Sequence, residues 1–221
     1  MNIQDIKGLK YPDEYIIKFF FKQKLNQKKG NVIEFGCSNG NNLSLFYQYH
    51  YTTSGVDYSQ ENIKNAIYNF SNIYNSDVTF SFYNENMLDY IQKDSDLQYD
   101  VFMLPNVISY LTKSEFISFL KNVQKNKIYK KNADFFLRAR TIRDYRFGLG
   151  EEIEPGSFRM TDNTTGELNA ICTCYEEHEL LDLLKTYLSI KDFFIFYLDN
   201  QNDQSGRTIL NSDIVIWGKI N

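Results

Sequence analysis

The sequence predicts an α/β protein: a seven-stranded, mostly parallel, doubly wound sheet with helices on both faces, an antiparallel last strand and a β-hairpin inserted after the fifth strand. Three observations carry this. Short apolar runs alternate with stretches of helical periodicity from residue 31 to residue 137. The first run ends in a glycine-bracketed turn, Gly36 to Gly40, and the second closes on an acid, Asp57, the pairing that doubly wound folds use for nucleosides. The last two runs, 191–198 and 212–219, follow one another without a helix between, so they pair antiparallel.

Taken in order, Tyr11-Pro12-Asp13-Glu14 opens a first helix, with proline and two acids where a helix start favours them, and Ile16, Ile17, Phe20 and Leu25 form its apolar side. Val32, Ile33 and Phe35 make a buried strand, and Leu43, Phe46 and Tyr47 a helix running to about His50. A second strand ends at Asp57, and Ser59 caps a helix bearing Ile63, Ala66, Ile67 and Phe70. Val78 to Phe82 and Tyr99 to Leu104 are the third and fourth strands. Thr112 and Glu115 have capping-box spacing ahead of Phe116, Phe119, Leu120 and Val123. Ala133 to Leu137 is the fifth strand, and residues 141–175 hold the hairpin, turning at DNTTGE. Leu180, Leu181, Leu184 and Leu188 mark the last helix, and NQNDQSGRTILN joins the two late strands. The whole chain, 1–221, is expected as one domain, with 1–30 a helical cap and 141–175 an active-site insertion.

A formal net charge of −4 gives no general attraction to nucleic acid or anionic membrane. The basic stretch Lys121 to Lys131 reads as a solvated face. Three cysteines, Cys37, Cys172 and Cys174, form no framework, which points to a reducing, cytoplasmic setting. Cys172 and Cys174 share a strand face and are poorly placed to bond one another. With two histidines and no second cysteine pair, no metal site is expected. The longest apolar run, YIIKFFF, is too short to span a membrane.

Gly36-Cys37-Ser38-Asn39-Gly40 also spells the nucleophile elbow G-x-S-x-G, which would make Ser38 a hydrolase nucleophile. Too few strands precede it, and His178 is the one late histidine, so that reading is set aside. An NAD fingerprint would want glycine where Ser38 and Asn41 stand. IEFGCSNGNNL, then GVDYS, ENML and YDVFMLPNVISYL, in that order over residues 31–111, resemble instead the Rossmann-like class of S-adenosylmethionine-dependent methyltransferases, in its small bacterial, small-molecule form. Ser38 replaces a glycine of that pattern. KYPDEYIIKFF and GELNAICTCYEEHELLDLL are similar, less sharply, to the N-terminal helix and to the segment that returns over the active site.

The resemblance implies S-adenosyl-L-methionine as cofactor, leaving as S-adenosyl-L-homocysteine. Gly36, Cys37, Ser38 and Gly40 would pass their backbone under its methionine part, with Glu34 organising the loop and Asn42 near the amino-acid end. Asp57 would hold the ribose diol and Tyr58 pack on the adenine. Asn86 and Met87 would meet the adenine, though an ordinary core Tyr58 and Met87 and a turn-capping Asn86 are the alternatives. Leu104 and Pro105 would line the sulfonium side, Asn106 face the acceptor and Tyr11 close the pocket. On the acceptor side, Tyr110, Arg140 and Arg143 are the candidate catalytic residues, in a stretch where five arginines lie between Arg138 and Arg159. Arginine suits bidentate grip on phosphate or carboxylate. The expected partner is a small anionic molecule, a phosphorylated metabolite or a sugar or nucleotide-sugar intermediate as in surface polysaccharide synthesis, methylated on oxygen. The alternatives are N-methylation of a small molecule or nucleic acid, a noncatalytic cofactor-binding relative, and arginines that merely pair with neighbouring acids.

Overall fold

The structure is a computed structural model that describes residues 2–93, 97–204 and 206–221. Ten strands occur among the described residues: β1 (Asn31–Phe35), β2 (Thr52–Asp57), β3 (Phe80–Asn84), β4 (Tyr99–Pro105), β5 (Tyr129–Arg140), β6 (Glu151–Glu154), β7 (Ser157–Arg159), β8 (Ile171–Thr173), β9 (Lys191–Gln204) and β10 (Arg207–Lys219). Seven form one sheet in the order β3-β2-β1-β4-β5-β10-β9, and β6, β7 and β8 form a second, smaller one. The first five strands of the large sheet run parallel. Only β10 opposes its neighbours.

Among the described residues, six α-helices cover this sheet: α1 (Glu14–Lys22), α2 (Asn41–Gln48), α3 (Gln60–Asn72), α4 (Met87–Tyr90), α5 (Lys113–Asn126) and α6 (Glu177–Leu188). Strand parity assigns them to faces. Val32, Val101, Met103, Phe136 and Trp217 pack with α1, α2 and α3. Ile33, Phe102, Leu104, Phe135 and Ile216 pack with α4, α5 and α6. Strands buried on both sides need continuous apolar runs, which is why these segments do not alternate with polar residues. The helix starts are written locally. Asp13, Ser59 and Asn86 cap α1, α3 and α4, and Thr112 with Glu115 completes a capping box on α5, a device worth about 1 kcal/mol.

Several boundaries differ from the sequence reading. Helix α1 ends at Lys22, so Leu25 is buried from the following 3-10 turn and Phe19, not the half-exposed Ile17, faces the core. Helix α2 stops at Gln48 and His50 takes a left-handed φ of 65°. Strand β3 begins two residues late, a slip that keeps the same side chains on the same face. The insertion is a three-stranded sheet rather than a lone hairpin, because β6 adds to the β7–β8 pair. The late connection is mostly strand. β9 and β10 pair out to Gln204 and Arg207, since an antiparallel ladder can continue through polar residues beyond the core. Ser205, in that connection, lies outside the described residues.

Candidate active site

The cleft is built where β1 and β2 deliver their ends. Gly36 has φ 71°, and a Cβ there would lie 2.7 Å from Val107, so only glycine lets the β4 loop approach. The amides of Gly36 and Cys37 both donate to the Val56 carbonyl (2.8 and 3.1 Å). The Asp57 carboxylate accepts from the amides of Ser38 (2.9 Å) and Ser59 (2.8 Å), stitching β2 to the loop after β1. Asn62 Nδ2 also donates to Asp57 Oδ1 (3.5 Å). Two oxygens offer about four acceptor positions, so one remains, on Oδ2, for a bound hydroxyl.

Behind the loop, Glu34 is fully buried and accepts from Asn42 Nδ2 (2.7 Å). Asn42 Oδ1 accepts the Asp13 amide (2.8 Å), Asp13 pairs with Arg138 (2.7 Å) and Arg138 with Asp213 (2.5 Å). Burial pushes the Glu34 carboxyl up to about 8, against the lowering effect of Asn42 and with help from Asp57 and Asp13. Its Oε2 has no partner among the described residues.

Buried asparagines strap the N-terminal segment across the mouth. Asn39 accepts the Leu9 amide (3.1 Å) and donates to the carbonyls of Lys7 (2.8 Å) and Leu9 (2.9 Å). Asn69 grips both backbone groups of Lys7, and Asn41 donates to the Tyr11 carbonyl. The sequence reading missed these residues. Their signal was available: Asn69 stands between Ala66 and Phe70 on the buried side of α3, where an amide needs a partner.

The resulting cavity holds about 700 Å³, a size that suits a ligand of nucleoside dimensions. Gly36, Ser38, Asp57, Tyr58, Asn86, Met87, Pro105, Asn106 and Tyr110 all line it. Tyr58 is 84% exposed, a ring free to stack. Asn86 does double work, since its Oδ1 caps α4 through the Leu88 amide (2.9 Å). Met87 is buried yet also forms wall.

Other expected residues stand elsewhere. The Cys37 side chain turns into the core against Gly55, leaving only its backbone in the loop. Gly40 starts α2 at φ 76°, with Phe70 and Phe82 against it rather than the cavity. Leu104 packs beneath the sheet with α5, because strand parity sends it away from the cleft. Glu34 and Asn42 brace the loop from behind, off the cavity wall. Tyr11 is 68% exposed, and Leu9 takes its place at the mouth because the asparagine strap fixes the chain two residues earlier.

Asn106 and Tyr110 are shared with a polar annex of about 300 Å³ that also involves Ser109, Arg138, Arg140, Asp144, Arg146, Asn211 and Asp213. Glu167, from the loop between β7 and β8, is the knot of its charges. It accepts from Arg140 (2.5 Å), Tyr110 (2.9 Å), Thr165 (2.9 Å) and Arg146. Burial raises the Glu167 carboxyl, but Arg140, Thr165 and Arg146 overcome it and hold the group at about 2. Arg146 also pairs with Asp144 (2.9 Å). Arg138, Arg140 and Arg146 are thus matched by Asp13, Asp213 and Glu167 from distant segments and by the neighbouring Asp144, rather than by Glu151, Glu152 and Glu154. Arg143 stands outside the annex, half exposed and paired with Asp199 (3.2 Å), which removes the placement expected of it. Arg159 faces away on β7.

Ser38 has φ 48°, but neither histidine reaches it: His50 pairs with Asp77 and His178 with Glu176 at the surface. The hydrolase arrangement is absent among the described residues. The sulfurs of Cys172, on β8, and Cys174, just past its end, lie 4.0 Å apart, both free. No cluster of metal-ligating residues occurs, and no helix is long and apolar enough to cross a membrane, among the described residues.

The sequence matches a family model described as a methyltransferase domain over residues 10–187. No curated protein matches it. An S-adenosylmethionine-dependent methyltransferase from Methanosarcina mazei superposes with a TM-score of 0.63 at 19% identity, covering 96% of this chain and 100% of that one. The N-methyltransferase NodS from Bradyrhizobium japonicum, in complex with S-adenosyl-L-homocysteine, gives 0.58 at 12% identity over 94% and 86%. An O-methyltransferase family protein from Burkholderia thailandensis gives 0.61 at 13% over 94% and 55%. At such identities the likeness is one of fold. The family match spans most of the chain, and the parallel sheet with one opposed strand is the one its sequence motifs imply. The chain belongs to the methyltransferase domain family, in its Rossmann-like, S-adenosylmethionine-dependent class.

Proposed function

We propose that this methyltransferase moves the methyl group of S-adenosylmethionine onto an oxygen of a small polar acceptor seated in the annex. The observation that carries the reading is the shared wall: Asn106 and Tyr110 border both the 700 Å³ cleft and the 300 Å³ annex. Two ligands seated there would meet at that wall.

The cofactor supplies a methyl group already bonded to a positively charged leaving group. What the chain contributes is placement. Asp57 has an acceptor position left on Oδ2 for a ribose hydroxyl, Tyr58 offers a ring face, and Met87 an apolar wall for the base. Gly36 brings bare backbone to the methionine end. Holding the reacting atoms in line near contact can supply roughly 7 to 11 kcal/mol, so no strong base is required if the acceptor oxygen loses its proton easily. Tyr110 is unsuited to be that base, because burial raises its phenol.

The chemistry of the annex narrows the acceptor. Arg138, Arg140 and Arg146 face Asp13, Asp144, Glu167 and Asp213, so three positive charges are more than matched by four negative ones. A hydroxylated acceptor such as a sugar matches this mixture of donors and acceptors. An anionic acceptor, a phosphorylated or carboxylated intermediate, fits by taking the place of the Glu167 carboxylate between Arg140 and Arg146. The buried free thiols suit a cytoplasmic setting.

The test is transfer of labelled methyl from S-adenosylmethionine to a panel of neutral, phosphorylated and carboxylated sugars, with amines and RNA alongside. Methyl ethers of a sugar support the reading. Label only on amine nitrogen or RNA, or on nothing while cofactor binds, overturns it.

A further inference from the structure

At the opposite end of the sheet from the cleft, two lysine pairs distant in sequence converge. Lys28 and Lys29 precede β1, Lys130 and Lys131 open β5, and Lys219 ends the antiparallel β10 beside them. They surround a cavity of about 200 Å³ floored by Leu25, Tyr51 and Val101. The five-residue β1 separates this pole from the cleft by about 17 Å at strand rise.

A bulge creates the arrangement. Tyr99 pairs with Tyr129 and Val101 with Asp134, so β5 carries three more residues than β4 between these pairs, and Asn132 takes a left-handed φ of 64°. Residues 130–133 therefore leave the ladder and present both lysines at the rim, as bulges do where they re-aim side chains. Two aspartates set the other head groups. Asp134, buried, accepts from Lys28 (3.2 Å) and Lys219 (2.5 Å). Asp100 accepts from Lys130 (2.8 Å) and from the Asn31 amide (2.8 Å), lying over Gly30 where a Cβ would be 2.4 Å from its oxygen.

Five lysines against two aspartates leave three positive charges around this small cavity, in a protein whose total is −4. Lys29 and Lys131 have no ion pair among the described residues. Like charges gathered in one concavity repel, and a bound anion relieves the repulsion. Lysine is a point-charge binder of phosphate. We propose that this basal cavity, formed by Lys28–Lys29, the Lys130–Lys131 bulge and Lys219, is a binding site for a phosphate-bearing anion, independent of the methyltransfer cleft. Lys29 and Lys131 make the new contacts, while Asp100 and Asp134 keep the other lysines oriented.

The experiment is calorimetric titration of the whole chain with inorganic pyrophosphate at low and moderate salt. Saturable binding is expected, weakening as salt rises. The double variant Lys29→Ala/Lys131→Ala should bind at least tenfold more weakly, Lys64→Ala, on the exposed side of α3, should bind as before, and both should keep their affinity for S-adenosylhomocysteine. Retention on phosphatidylglycerol vesicles that pyrophosphate competes away would assign the phosphate to a lipid headgroup and support the site. No saturable binding of pyrophosphate, equal binding by the double variant, or capture of an oligouridylate that pyrophosphate fails to displace would overturn it.

Discussion

The cleft proposed for the cofactor and the annex proposed for the acceptor share Asn106 and Tyr110, yet they are assembled in opposite ways. The cleft is made by the ends of successive strands: Gly36 after β1, Asp57 at the end of β2, Asn86 after β3, Asn106 after β4. Each contributes from its own strand-to-helix junction, in chain order. The annex gathers Tyr110, Arg138, Arg140, Arg146, Glu167 and Asp213 from segments up to a hundred residues apart, and its groups are held by one another. A site of junctions tolerates drift elsewhere in the chain. A site of mutual ion pairs depends on all its members at once.

Arg138 joins the two halves, through Asp13 and Asn42 to Glu34 on one side and through Asp213 on the other. Arg138→Ala leaves two acids facing each other, and should destabilise the chain by about 3 to 5 kcal/mol in chemical denaturation. A loss below about 1 kcal/mol would show that the halves are not joined there.

Asp57→Ala should weaken S-adenosylhomocysteine binding about 100-fold, near 2.7 kcal/mol, with the annex intact. Glu34 gives the same half a pH signature. Its folded value of about 8 lies above the ordinary 4.5, so between these limits the folded state keeps a proton that the unfolded chain has lost. Its stabilising contribution is complete below about 4.5 and fades as the pH rises through about 8, a decline on the order of 5 kcal/mol in the cofactor-free protein. Glu34→Gln should flatten that part of the profile, and an unchanged slope would contradict the buried carboxyl.

Glu167→Ala should act on the other half alone. It frees Arg140 and Arg146, and should lower kcat/KM about 10-fold for a neutral acceptor while leaving S-adenosylhomocysteine affinity unchanged. An acidic acceptor would instead gain from the vacancy. Ser38→Gly should move least. It relieves a left-handed serine but loosens the unfolded chain, so the net change in stability should stay within about 1 kcal/mol, with methyl transfer retained. Loss of transfer would return Ser38 to a chemical role.

The same contrast explains what could be read from the sequence. The succession of strands and helices, their caps and the cavity residues from Gly36 to Asn106 were legible, because each rests on local periodicity and on a turn that only certain residues permit. Side-chain direction within the motif was less so: Cys37 and Leu104 belong to the right segments but face the core through strand and loop parity. Of the asparagine strap, Asn69 carried a signal in its place on the buried side of α3, whereas Asn39 and Asn41 reveal themselves only when the segment before α1 crosses them. The arginines were seen and their partners were not, since Glu167 and Asp213 reach them only after the chain has folded. For the same reason the basal lysines looked like a solvated stretch until Lys28–Lys29 arrived beside Lys130–Lys131.

Calorimetric titration of the unaltered chain with S-adenosylhomocysteine bears most directly on the central claim, that the cleft between Gly36 and Asn106 seats this cofactor. Saturation at one ligand per chain, competed by S-adenosylmethionine and lost in Asp57→Ala, is the predicted result. Absence of binding, or binding that survives Asp57→Ala unchanged, would contradict it.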